Sequence, residues 1–191
     1  MSLGAVFDAA LAAQAAAEAL NLPHCIIGGV ALQRWGEPRY TIDADLSVLV
    51  EHGQESRVAS ALLARLPARI GHAHEFAMRS RVVLAQSAGV GLDIVLAGLP
   101  FEARVIARAT AWQLGAGASL RTCSAEDLIV MKAFAARDKD WADVTGILER
   151  QGAKLDLALI RSELEPLAAA KEAPEVLREL DKRLLRFGLG E

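Results

Sequence analysis

The chain has 191 residues, of which 53% are apolar, with a mean hydropathy of +0.26 and a net charge of −3. This composition supplies a packed core and excludes a globally disordered chain, and the weak charge gives no broad field for nucleic acid or an anionic membrane. No apolar run approaches the roughly 18 residues of a membrane-spanning helix, so we expect a cytoplasmic protein without membrane association.

The first part of the chain alternates between helical and strand patterns. The apolar spacing predicts an Ala-rich helix over 4–20, a strand over 24–27, a short helix over 30–35, a strand over 43–50 and an amphipathic helix over 53–66. After a predicted loop at 71–74, it predicts strands over 81–86 and 90–97 joined as a hairpin, a helix over 100–109 and a short strand over 120–122.

The second part is predicted to be helical. Ser124 and Asp127 form a capping signal for a helix over 125–137, and WADVTGILERQ continues or restarts it. Two further helices are expected over 155–187, broken around Pro166 and Pro174. We therefore expect an α/β (α+β) fold with a small mixed sheet, as a core over 1–122 and a helical part over 123–191 packed on it.

Two cysteines, Cys25 and Cys123, lie far apart in apolar surroundings. Their spacing forms neither a disulfide framework nor a CxxC metal site. We expect buried free thiols in a reducing cytosol.

Two aspartates begin an apolar strand, DADLSVLV. Strand interiors avoid aspartate, and because side chains alternate across a strand, Asp43 and Asp45 project from one face, about 6.5–7 Å apart. Asp93 lies in a second apolar strand, so three acids converge if the strands are neighbours. Clustered carboxylates need a cation between them, and Mg²⁺ suits carboxylates and phosphates. The alternative is a solvated strand edge, with Asp93 beside a turn.

A glycine pair separates a predicted strand from a predicted helix. Gly28 and Gly29 lack Cβ atoms, so backbone N–H groups could approach a phosphate, and a helix N-terminus favours anions. The alternative is an ordinary tight turn. Gly29 stands fourteen residues before Asp43, and this order favours the phosphate-binding interpretation.

The sequence GGVALQRWGEPRYTIDADLSV resembles the opening motif of the nucleotidyltransferase superfamily of DNA polymerase beta type, with the AbiEii-like toxins of type IV toxin–antitoxin systems as the most similar branch. Matching residues, in order, are Gly28-Gly29, Gly36, Arg39-Tyr40-Thr41 and Asp43-Ala44-Asp45, and Asp93 falls at the third carboxylate. A later motif of that branch is matched by Lys132, Arg137, Asp140 and Asp143. The resemblance covers about residues 26–148. Separately, the preference for Arg over Lys and the abundance of Ala indicate a bacterial source.

The resemblance also implies roles for the matched residues. Asp43, Asp45 and Asp93 would bind metal, as two Mg²⁺ or Mn²⁺ ions, and Asp93 would help to deprotonate an acceptor hydroxyl. The NTP would be bound by Gly28, Gly29, Arg39 and Thr41, with Lys132 as a further catalytic residue that reaches a phosphate.

The residues outside the three acids keep structural alternatives. Arg39 could equally form a structural ion pair, and Lys132 could be a snorkelling lysine on a packed helix. Asp140 and Asp143 could be surface or capping residues. On an unbroken helix Lys132 and Asp143 would lie about 16 Å apart in rise, so we expect no direct contact between them.

We therefore predict a Mg²⁺-dependent enzyme that moves an NMP group from an NTP to a hydroxyl acceptor. The acceptor stays open between RNA or protein, as for a toxin with an antitoxin partner, and a small molecule of the aminoglycoside or lincosamide type. A different class is a non-catalytic NTP-binding or partner-binding module.

Overall fold

The structure, a computed structural model, describes residues 4–190. The chain divides into two compact units. The first, here called the sheet unit, consists of the described parts of Met1–Ala31 and Tyr40–Cys123, and the second, the helical unit, consists of those of Leu32–Arg39 and Ser124–Glu191. The predicted α/β class with a small mixed sheet is confirmed.

The sheet unit is built on strands that pair in the order β3-β4-β2-β1-β6-β5. The strands are β1 (His24–Ile27), β2 (Asp43–Leu49), β3 (Val82–Ser87), β4 (Val90–Ala97), β5 (Thr110–Gln113) and β6 (Ser119–Thr122). Its helices are α1 (Ala5–Glu18), α2 (Gly28–Trp35, which ends in the helical unit), α3 (Glu55–Leu63), α4 (Ala73–Ser80) and α5 (Pro100–Arg108). The pairs β2–β4 and β1–β6 are parallel, and β1–β2, β3–β4 and β5–β6 are antiparallel.

The two faces of the sheet differ in character because side chains alternate along β2 and β4. On one face, residues such as Leu46, Val48 and Ile94 are fully or almost fully buried. The alanines of α1 belong to the same core, and their small side chains let the helix lie close to the strands. The opposite face carries the aspartates, so the apolar alternation that holds the sheet also fixes where the acids point.

The helical unit contains α6 (Ala125–Ala135), α7 (Asp138–Gln151), α8 (Leu157–Ala170) and α9 (Glu175–Arg186). The Ser124 hydroxyl accepts a hydrogen bond from the Asp127 N–H at 3.0 Å, as the capping signal predicts. Ala136 then adopts a left-handed conformation with φ 57°, which ends α6 and turns the chain into α7. No helix within residues 4–190 combines the length and apolarity needed to cross a membrane.

Two local expectations need correction, and one strand was missed. Residues 71–74 are not all loop, because α4 begins at Ala73. The chain does not break at Pro166, which lies inside α8. The proline is exposed, so the carbonyl that loses its partner can be hydrated, while buried Leu164 and Ala168 hold the helix in the core. Strand β5 was not predicted, because most of its residues are exposed and show no apolar alternation.

Candidate active site

The three predicted acids lie on one face of the sheet. In the parallel pair of β2 and β4, Asp45 is the direct partner of Asp93, and Asp43 is the partner of Gly91. Paired residues of neighbouring strands share a face about 4.8 Å apart, and each of the three aspartates is partly exposed. We call the surface formed by Asp43, Asp45 and Asp93 the aspartate face.

The glycine turn lies against the carboxylate of Asp45. Strand β1 ends at Ile27, opposite Asp45, and Gly28 follows with φ 61° as the first residue of α2. A Cβ on Gly28 would stand 2.0 Å from Oδ2 of Asp45. Position 28 therefore requires glycine for two reasons: its backbone φ is positive, and the Asp45 carboxylate occupies the space that a Cβ would need.

The second glycine makes room for Thr41. A Cβ on Gly29 would lie 2.4 Å from the Thr41 hydroxyl oxygen. That hydroxyl donates to the backbone carbonyl of Asp43 at 3.3 Å and lies 3.5 Å from its carboxylate. The start of α2, with its unpaired backbone N–H groups, is thereby held next to the aspartate face.

Arg69 also contacts this surface. Its Nη2 donates to Oδ1 of Asp93 at 2.6 Å, and a Cβ on Gly91 would lie 2.3 Å from its Nη1. Sequence reasoning missed Arg69, because it follows a helix-ending proline and belongs to no motif. The available signal was Gly91, a glycine two residues before Asp93 on the face that the acids share.

The donor set suits a hard divalent cation, since carboxylates are the protein ligands that Mg²⁺ uses. Among residues 4–190, however, no three or more His, Cys, Asp or Glu side chains are already arranged to hold a metal ion. The contacts give one physical reason, because Asp93 is bonded to a guanidinium. Asp43 and Asp45, with Asp93 beside them, have the chemistry for such an ion.

The residues of the later motif meet inside the helical unit. Lys132 Nζ lies 2.8 Å from Asp143 Oδ2 and 3.2 Å from Asp140 Oδ1. Arg39 contacts Asp143 through two hydrogen bonds of 2.7 and 2.9 Å, and Arg137 donates to Asp140. We call these five residues the helical ion cluster.

The cluster corrects three interpretations of the sequence. Lys132 and Asp143 make direct contact, because the break at Ala136 folds α7 back along α6; the estimate for an unbroken helix was wrong. Asp140 and Asp143 are not surface residues, since they are 0% and 5% exposed. Lys132 is 7% exposed, so its ammonium is held between carboxylates and does not snorkel to solvent.

Electrostatics keep both carboxyls of the cluster ionised. Burial alone would raise the pKa of Asp140, but the hydrogen bond from Arg137 and the charge of Lys132 outweigh it and bring that pKa below its ordinary value. Burial likewise opposes ionisation of Asp143, and Arg39 and Lys132 lower its pKa. Cations and carboxylates in this cluster therefore stabilise one another.

The structure thus sorts the predicted residues into two groups. Gly28, Gly29, Thr41 and the three acids come together in the sheet unit, around the start of α2. Arg39, Lys132, Arg137, Asp140 and Asp143 come together in the helical unit. Within each unit, predicted residues that are distant in the sequence become direct neighbours.

Comparison with known proteins identifies a matching protein family and solved structures with a similar fold. Residues 9–188 match the profile of the family described as "Nucleotidyl transferase AbiEii toxin, Type IV TA system". Two structures of ANT(2'')-Ia are similar: a solution structure of this antibiotic-resistance factor (21% identity, 86% of this chain and 92% of that chain, TM-score 0.53) and a crystal structure in complex with adenylyl-2''-tobramycin (20%, 84% and 95%, TM-score 0.51). At these identities they show a shared fold. No curated protein matches the sequence at a significant level.

Proposed function

This chain belongs to the AbiEii nucleotidyltransferase family, and from that premise we propose that the aspartate face is its catalytic site. The family transfers nucleotides, and an NTP is the substrate. The finer proposal is that Asp43, Asp45 and Asp93 direct a divalent-metal-dependent transfer of an NMP group to an acceptor hydroxyl. The observation that carries it is the register of β2 and β4, which sets Asp45 beside Asp93 on one face.

In the proposed reaction the acceptor hydroxyl oxygen attacks the α-phosphorus of the NTP. A new P–O bond forms, the bond from the α-phosphorus to the bridging oxygen breaks, and pyrophosphate leaves. Asp93 takes part in removing the hydroxyl proton. A divalent ion, when bound, would supply charge neutralisation for the phosphate oxygens and a lower pKa for the attacking hydroxyl. Asp43 and Asp45 would hold it.

The glycine turn is suited to the triphosphate. The first residues of α2 present backbone N–H groups and the positive end of the helix dipole, and Gly28 brings them next to Asp45. A bound phosphate chain would thus contact N–H donors and the carboxylate-held ion together. Thr41 supports this turn by filling the space above Gly29.

For the later motif, the contacts support a positioning role. Lys132 is buried between two carboxylates, so its charge is used to organise the helical ion cluster. Asp143 in turn holds Arg39 by a bidentate ion pair, and a guanidinium fixed in this way keeps a geometry suited to phosphate. We propose Arg39 as the NTP-contacting residue of the cluster, positioned by Asp143 and Lys132.

The direct test is Mg²⁺-dependent NTP binding, measured by calorimetry for the wild type and for Asp43→Asn and Asp45→Asn. We expect Mg²⁺ to strengthen NTP binding in the wild type and to have much less effect in the variants. Asp8→Asn, in α1, is the matched control for loss of one negative charge. Equal Mg²⁺-dependent affinities in all four proteins would contradict the proposed site.

The acceptor class is tested by transfer of label from α-labelled NTPs. Separate reactions contain total cell RNA, cell protein or an aminoglycoside. Label on RNA or protein supports a toxin-like enzyme, for which we propose an antitoxin partner, and label on the aminoglycoside supports a small-molecule enzyme. Failure to label any of them, with NTP binding intact, supports a nucleotide-binding module.

A further inference from the structure

One cation beside the aspartate face comes from outside the family motif. Arg69 lies in the segment between α3 and α4, and its guanidinium bonds to Asp93 at 2.6 Å. Both side chains are about one-third exposed, at 34% and 32%. The pair lies on the proposed catalytic surface, where an arginine that bonds a catalytic acid has chemical consequences.

Backbone pairing with β3 fixes the position of the Arg69 main chain. Its N–H donates to the Leu84 carbonyl at 3.0 Å, and Ala68 forms an antiparallel bridge with Ala85. The segment therefore runs along the outer edge of β3, with Arg69 opposite Leu84. Leu84 is in turn the partner of Asp93 on β4. Residues opposite one another in a sheet share a face, so the arginine crosses β3 on the side of the acids.

The guanidinium of Arg69 lies in space that is open because Gly91 has no side chain. Its Nη1 occupies the space that a Cβ of Gly91 would need, and its Nη2 reaches Asp93. Gly91 is also the direct strand partner of Asp43. The guanidinium thus lies over β4, one strand away from the residues that begin β2. It places a permanent positive charge at the edge of the three carboxylates.

We propose that Arg69 is a positioning residue for Asp93, and that its charge sets the affinity of the aspartate face for divalent ions. This inference rests on the proposed function. The bond to Oδ1 fixes the orientation of the carboxylate, which is the group that takes part in removing the hydroxyl proton. The same guanidinium offsets the repulsion among the three acids and opposes a divalent ion that binds near them.

Replacing Arg69 should therefore change two quantities in opposite directions, raising the affinity for a divalent ion and lowering kcat. Removing the charge of Arg69 strengthens binding of a divalent ion, because repulsion between a unit charge and a nearby doubly charged ion changes affinity by roughly three- to tenfold in a water-like dielectric. Loss of the bond releases the carboxylate of Asp93 and lowers kcat, by roughly 10-fold or more, as for other residues that orient a ligand. A residue with a merely structural role would lower both quantities.

The test measures Mn²⁺ binding by electron paramagnetic resonance, without NTP, in the wild type and in Arg69→Gln, Arg69→Lys and Gly91→Ala. The kcat is followed as pyrophosphate release from ATP, with the acceptor fraction found by labelling. We expect Arg69→Gln to bind Mn²⁺ three- to tenfold more tightly with a lower kcat. Arg69→Lys keeps the charge, so it retains wild-type Mn²⁺ affinity and recovers part of kcat.

Gly91→Ala provides a second route that leaves the arginine in the sequence. The added methyl displaces the guanidinium, so we expect a lower kcat and a rise in Mn²⁺ affinity smaller than that of Arg69→Gln. Arg81→Gln is the matched control, because it removes a guanidinium of the same unit that pairs with Glu55 at 2.9 Å. We expect no change in Mn²⁺ affinity for this control.

The outcomes separate this inference from the proposed function. Unchanged or weaker Mn²⁺ binding by Arg69→Gln, or tighter binding with an unchanged kcat, overturns the role of Arg69. If the wild type binds Mn²⁺ and Asp45→Asn does not, either of these results contradicts the role of Arg69 and leaves the proposed function intact. If the wild type binds no Mn²⁺ at all, the proposed function fails, and the role of Arg69 fails with it.

Discussion

Charged side chains gather in both units, but under opposite conditions. On the aspartate face of the sheet unit, three acids are partly exposed on neighbouring strands, and one of them bonds to Arg69. In the helical ion cluster, the lysine and the aspartates are at most 7% exposed. There, three cations and two carboxylates contact one another directly.

The difference separates charge that stabilises the fold from charge that is suited to bind a ligand. Burying an ion is costly unless it is paired and hydrogen-bonded, and the contacts of the helical ion cluster meet this condition. The aspartate face carries more negative charge than the guanidinium of Arg69 offsets, which favours binding of a further cation. We therefore expect mutations of the buried Lys132, Asp140 and Asp143 to lower stability first, and mutations of the aspartate face to lower activity without loss of stability.

The sharpest test of this comparison is Lys132→Met, which keeps the apolar stem and removes the ammonium. Asp140 and Asp143 would be left buried with less compensation, so we expect a loss of about 3–5 kcal/mol in the free energy of unfolding. The measurement is chemical denaturation, with hydrogen exchange of the α6 and α7 amides.

The control for this variant is Lys182→Met in α9. Lys182 is 74% exposed and pairs with Glu179 at 3.3 Å, and an exposed pair contributes about 0–1 kcal/mol. Similar losses for the two variants would show that burial of the cluster does not matter, and the comparison between the units would fail.

In contrast to Lys132→Met, Asp45→Asn should lower activity and leave stability unchanged or slightly higher. We expect nucleotide transfer to fall by on the order of 10²–10³-fold, the usual effect of losing an electrostatic stabiliser of the transition state. Stability should hold or rise slightly, because one of three repelling charges is gone. Steady-state kinetics and thermal unfolding measure the two quantities, and a variant that loses stability but keeps its activity would assign Asp45 to the fold instead.

Gly28→Ala tests the contact between the glycine turn and the aspartate face. Gly28 and Gly53 both have positive φ, 61° and 83°. A Cβ at 28 would meet Asp45, whereas one at 53 would meet no described atom within 4 Å. Both alanine variants should lose about 1–2 kcal/mol of stability through backbone strain.

The added contact should appear in ligand binding. We expect Gly28→Ala alone to weaken Mg²⁺-dependent NTP binding, by roughly tenfold, because the methyl group pushes the Asp45 carboxylate aside. Calorimetric titration of the two variants measures this difference. Equal NTP affinities would mean that Asp45 can move away from the turn without consequence.

The sequence was informative wherever a local pattern determined the structure. Strands β1 and β4 were predicted to the residue, and the alternation in β2 correctly placed Asp43 and Asp45 on one face. The Ser124 cap was also predicted correctly. These features depend on side-chain period and capping chemistry, which act over a few residues.

The remaining features depend on contacts between distant segments. The contact of Lys132 with Asp143 requires the turn at Ala136, an alanine with positive φ that no propensity favours. The approach of Arg69 to Asp93 requires the pairing of residues 67–69 with β3. Pro166 stays helical because Leu164 and Ala168, two residues to either side of it, are buried. In each case tertiary packing overrides the local signal.

The smallest effect that we expect concerns pH. The pKa values of Asp140 and Asp143 lie below their ordinary value of 3.8 in the folded protein. Each group therefore contributes stability that is present above the unfolded-state pKa and is lost as pH falls through the folded-state pKa. The helical unit should thus be destabilised below about pH 4, and Asp143→Asn should show a weaker dependence on pH in that range.

Tryptophan fluorescence can follow this transition in one unit. Trp35 and Trp141 belong to the helical unit and Trp112 to the sheet unit, so Trp112→Phe leaves reporters in the helical unit alone. We expect the acid-induced change in Trp112→Phe to be shallower when Asp143→Asn is added, because one ionising group is then absent. Identical pH profiles with and without Asp143→Asn would show that its carboxyl is not coupled to folding, and the helical ion cluster would lose its role as the stabilising counterpart of the aspartate face.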